Sequence, residues 1–95
     1  MSTSFTSSVT VSSDVMVRQI GEESVLLDLK TERYLGLDDV SSRMWQVLTN
    51  GAAIDSAYQT LLAEFDVDPE RLRNDLDDFV QELLKLGLVE LNKQS

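Results

Sequence analysis

The chain has 95 residues, 42 % of them apolar and 26 % charged, a globular composition with enough apolar material for one core. With no cysteine and no histidine it excludes disulfides, thiolate chemistry, zinc sites of the usual donor types and imidazole acid–base catalysis. Seventeen acidic residues against eight basic ones give a net charge of −9, which repels nucleic acid and anionic membrane and suits a neutral or basic peptide, or a basic patch on an enzyme.

Residues 1–13 are rich in Ser and Thr and lack a basic stretch followed by an apolar one, so they are expected to be a flexible tail rather than a secretory signal. No apolar run is long enough to span a bilayer, and a cytoplasmic location is the default expectation. From Asp14 to Asp38 the pattern is extended. Asp14–Ile20, Ser24–Leu29 and Arg33–Leu37 are three β-rich runs separated by Gly21-Glu22-Glu23 and Lys30-Thr31-Glu32, which predicts an antiparallel meander. The second break has no Asn-Gly or Asp-Gly to fix its turn. In the third run Arg33, Leu35 and Leu37 share one face, Tyr34 and Gly36 the other.

After Asp38 the period becomes helical. Val40, Met44, Val47 and Leu48 form one stripe, with Trp45 beside it, Asp39 as the expected N-cap and Asn50-Gly51 as the stop. Ile54, Ala57, Tyr58, Leu61, Leu62 and Phe65 define a second helix. The third has Asp68 as N-cap, Pro69 at the first helical position, Glu70 in the first turn and Gly87 at its end, around the stripe Leu72, Leu76, Phe79, Val80, Leu83 and Leu86. Leu88–Leu91 is a possible last extended piece. The predicted class is α+β: a winged helix-turn-helix-like domain over residues 14–91, with a three-stranded antiparallel sheet followed by three helices and a C-terminal tail at 92–95.

Catalytic and metal readings find little support. Asp75, Asp78 and Glu82 share a helical face with Asp77 nearby, but hard-cation loops need ligands converging from several directions around a turn, so a solvated or peptide-facing surface fits better. No base stands ready to activate the N-terminal hydroxyls, Lys30, Lys85 and Lys93 have polar surroundings, and the four glycines form no phosphate cradle. Trp45 and Tyr58 at helical spacing fit a core better than a binding cage. Tyr34 and Gly36 leave two readings level. They mark either an edge strand open to a foreign backbone, or a bulge or a glycine tucked under a large neighbour.

The order of these motifs resembles the PqqD-like family. Val25-Leu-Leu-Asp-Leu-Lys-Thr-Glu-Arg-Tyr-Leu-Gly-Leu-Asp38 is similar to its two-strand signature, Ser41-Ser-Arg-Met-Trp-Gln-Val-Leu48 to its first helix, and Asp68-Pro-Glu-Arg-Leu72 through Leu83-Leu-Lys-Leu-Gly-Leu-Val89 to its third helix and ending. The resemblance covers roughly residues 14 to 91. It implies a non-catalytic RiPP recognition element without cofactor or metal, which binds the leader of a ribosomally made precursor and presents it to a tailoring enzyme. In that family the leader adds to the third strand beside the third helix. Carried over, the strand is Arg33, Tyr34, Leu35, Gly36 and Leu37, and the groove wall is Leu72, Asp75, Leu76, Phe79 and Glu82. The wording of the strand pair looks most like the stand-alone B1 proteins of lasso-peptide pathways, whose expected partner is a leader peptidase. The alternatives are a PqqD-type chaperone of the pyrroloquinoline quinone precursor acting with a radical SAM enzyme, a winged-helix transcription regulator, which needs a more basic third helix, and an edge-to-edge dimer.

Overall fold

The computed structural model describes residues 5–92. Their element order is β1 (Ser8–Val11), β2 (Val15–Ile20), β3 (Glu23–Asp28), β4 (Tyr34–Leu37), α1 (Asp39–Leu48), α2 (Ile54–Glu64), α3 (Pro69–Lys85) and β5 (Val89–Asn92). The predicted meander is the antiparallel sheet β2-β3-β4. Gly21, at φ +63°, opens the two-residue turn between β2 and β3 in the conformation a type II′ hairpin requires at that position.

The β3–β4 turn is built by Asp28. Its carboxylate accepts the Lys30 N–H at 2.9 Å and the Thr31 N–H at 3.3 Å, while Glu32, at φ +61°, returns its own N–H to the Asp28 carbonyl at 2.8 Å. An Asx-type turn replaces the missing glycine signal. The Lys30 amide above all, opposed by partial desolvation and helped by Thr31, holds the Asp28 carboxyl below its ordinary range.

The helices cover one face of this sheet, α1 packing on β3 and β4, α2 on α1, and α3 on α2. The alternation of β3 buries Ser24, Leu26 and Asp28 toward them. Leu26, Leu61, Leu76, Val80, Leu83 and Leu88 have no exposed surface. Burying a side chain of this kind contributes about 1.5–3 kcal/mol. Trp45 and Tyr58 belong to this core, as their helical spacing predicts. Asp38, rather than Asp39, caps α1, its carboxylate accepting the Ser41 N–H at 2.8 Å. Asp39 sits in the first turn. The end of α3 is a Schellman arrangement: Leu88 N–H reaches the Leu83 carbonyl at 3.0 Å and Gly87 N–H the Leu84 carbonyl at 3.1 Å, with Gly87 at φ +73°.

The N-terminal segment departs from its expectation. Residues 1–4 and 93–95, Lys93 among them, lie outside the described residues, but 5–11 are not a tail. Ser8–Val11 pairs antiparallel with Val89–Asn92, from Ser8↔Asn92 to Val11↔Val89, so Asn92 also belongs to the fold rather than to a tail. Phe5 is buried edge-on against Tyr58, with centroids 6.0 Å apart, and under the Arg73 guanidinium 4.0 Å from its ring. Helix α2 begins at Ala53, which offers no side-chain cap. The Ser7 and Phe5 carbonyls take over, accepting the Ile54 and Asp55 N–H groups at 2.8 Å each. Val9, Phe5 and the pairing with a strand 80 residues away overrule the polar composition of the segment.

Candidate functional site

β4 forms one edge of its sheet and has no second neighbour among the described residues. The Asp28 N–H donates to the Arg33 carbonyl at 2.8 Å, so these two residues face each other across the ladder. The register then runs unbroken through Leu27↔Tyr34, Leu26↔Leu35, Val25↔Gly36 and Ser24↔Leu37. Antiparallel alternation turns the backbone groups of Leu35 and Leu37 toward β3 and those of Tyr34 and Gly36 outward. Arg33 itself lies just before the strand and ends the turn.

The side chains follow the other alternation. Leu37 is buried and Leu35 half-buried, whereas Tyr34 is 72 % exposed. Tyr34 lies on the outer face beside Leu27 and Met16, its successive cross-strand neighbours. Gly36 has an unbroken register and nothing within 4 Å of the position its Cβ would take. Neither a bulge nor a covering neighbour within the described residues accounts for it, which removes the two internal readings left open by the sequence.

Past Leu37 the chain enters α1, which lines a cleft of about 480 Å³ with Val40 and Met44, together with Phe65 to Asp68 of the α2–α3 connection and Arg71, Leu72 and Asp75 of α3. Of the expected groove wall, Leu72 and Asp75 meet here. Leu76 is wholly in the core and can only support the wall from behind. Phe79 is half-buried against the core, and the exposed Glu82 borders a separate hollow with Gln81, Lys85 and Leu86. Val40, Asp66, Val67 and Asp68 were not singled out as site residues by the sequence reading. Val67, an isolated apolar residue between two aspartates in a connection, is the signal that could have found them.

The site offers main-chain groups with no partner among the described residues, an apolar hollow and carboxylates. The described residues contain no cluster of three or more metal-ligating side chains and no helix long and apolar enough to cross a membrane. The fold and site define a winged-helix domain with a strand edge left open among the described residues and a helix-walled cleft beyond the end of that strand, and such an edge is one to which an extended chain can add.

The family model for coenzyme PQQ synthesis protein D (PqqD) matches residues 23–89. The chain belongs to the PqqD family. It is 37 % identical to TbiB1, solved in complex with the TbiA(beta) leader peptide, over 85 % of this chain and 94 % of that one, with a TM-score of 0.80. A lasso peptide synthetase B1 complexed with its leader peptide shares the fold at 24 % identity, over 86 % of this chain and 96 % of that one, with a TM-score of 0.78. No curated protein matches the chain.

Proposed function

We propose that this protein is a non-catalytic recognition element that binds the leader of a ribosomally made precursor peptide as an added strand on β4 and presents it to the leader peptidase of a lasso-peptide pathway. The observation that carries this reading is the outward row of Tyr34 and Gly36 amides and carbonyls on an edge with no strand against it among the described residues. Main-chain hydrogen bonds there give affinity, and the helix-walled cleft reads side chains. Its 37 % identity to a leader-bound B1 protein favours the lasso type. The family model's own description favours a second reading, the pyrroloquinoline quinone precursor as the bound peptide. Tethering the leader raises the local concentration of the core peptide at the enzyme without chemistry by this chain.

The decisive variant is Gly36→Pro. Proline there removes an outward N–H and leaves the ladder to β3 intact, as edge strands tolerate, whereas proline at Leu35 would remove an inward one. With a fluorescently labelled lasso-type leader peptide that the wild type binds, polarisation should show binding weakened by more than about tenfold, with stability within about 0.5 kcal/mol of wild type. Equal affinity in the folded variant rules out strand addition at β4.

A further inference from the structure

We propose that the cleft between α1 and α3 is a two-part subsite, which takes an apolar side chain of the bound leader together with an adjacent lysine or arginine. This rests on the strand-addition reading above and adds the chemistry of the occupant. Val40 of the cleft lies three residues past the end of β4, at most about 11 Å along the chain, which is within reach of a leader segment that continues beyond the β4 edge.

Its floor is apolar, Met44 and Leu72, both buried. Two walls are aliphatic side chains left in water, Val40 at 40 % exposure and Val67 at 43 %. The rim is anionic. Asp75 is already engaged by Arg71 at 3.9 Å. Asp66 and Asp68, either side of Val67, form no ion pair among the described residues. Asp68 is the N-cap residue of α3, yet its carboxylate does not bond the helix amides, unlike that of Asp38 on α1.

An apolar hollow alone accepts any greasy side chain. Two uncompensated carboxylates at its mouth, on a chain of net charge −9, repel an acidic neighbour and favour a cation. The geometry thus points to a leader whose apolar anchor is flanked by Lys or Arg, and against one flanked by Asp or Glu.

The test is selection of a randomised linear peptide library, displayed on phage, against the full chain and against the Asp66→Asn/Asp68→Asn variant. Both positions are exposed, and Asn still suits an N-cap. Wild type should enrich an apolar residue next to Lys or Arg, and the variant should keep the apolar preference and lose the cationic one. For a selected peptide, changing its Lys to Gln should weaken binding roughly three- to fivefold in wild type at low salt and have little effect in the variant. Identical preferences from the two proteins overturn the subsite and leave strand addition standing. Failure to enrich any peptide, or binding indifferent to Gly36→Pro, overturns strand addition itself.

Discussion

The β1–β5 ribbon and the β2-β3-β4 sheet are both short and antiparallel, but they are completed in different ways. The ribbon joins the first and last strands of the described chain and buries Val9 and Val89, and Phe5 and Ser7, just before it, give α2 its first hydrogen-bond acceptors. The three-stranded sheet buries one face only. Its outer face keeps Met16, Ile20 and Tyr34 in water, and β4 keeps an open edge. Among the described residues, pairing is thus closed where the fold needs support and left open at β4, the strand that leads into α1 and its cleft.

Removing residues 1–11 breaks the first half of that contrast most severely. It deletes β1, both backbone acceptors of α2 and the ring beneath Arg73, and should abolish most of a stability of about 5–10 kcal/mol in urea unfolding. Phe5→Ala alone should cost about 3 kcal/mol. A truncated chain as stable as the full one would return the segment to the status of a tail.

The open sheet is sensitive elsewhere, at the turn that aims β4. The Asp28 carboxyl has a lowered pKa in the folded state, so it contributes stability at neutral pH that is lost as pH falls below about 4 and through the folded value. Asp28→Asn keeps an acceptor for the two amides but should flatten the dependence of unfolding free energy on pH in that window. An unchanged slope would remove Asp28 from the account. The smallest effect belongs to Glu32. Glycine relieves its left-handed backbone at the expense of a more flexible unfolded chain, so Glu32→Gly should raise stability by about 0.5 kcal/mol and leave leader affinity unaltered.

The same contrast separates what the sequence revealed from what it hid. The β-rich run Ser24–Leu29, the Asp-Pro start of α3 and Gly87 at its end are local signals, and the structure keeps each of them, the strand running from Glu23 to Asp28. The ribbon is non-local. Ser-Val-Thr-Val at 8–11 carries β propensity, but its partner lies 80 residues on, and no periodicity couples the two. The cap of α2 was hidden for a related reason, since carbonyls of a distant segment replace the side chain Ala53 lacks. At the site, Tyr34 and Gly36 stand out in the sequence, but an open edge and a bulge or covered glycine stay level there until the unbroken register is known. The cleft was only half legible, because Val40 and Val67 look like core residues until neighbouring elements show that nothing covers them.

Ser8 and Asn92 face each other in the ribbon, so its first and last residues meet at one corner, and neither strand pairs with β4 or lines the cleft. A linker from Asn92 to Phe5 would make a ring that keeps the buried phenyl ring and the acceptors of α2, and new ends could be cut into the exposed loop at Asn50-Gly51 with the ribbon preserved.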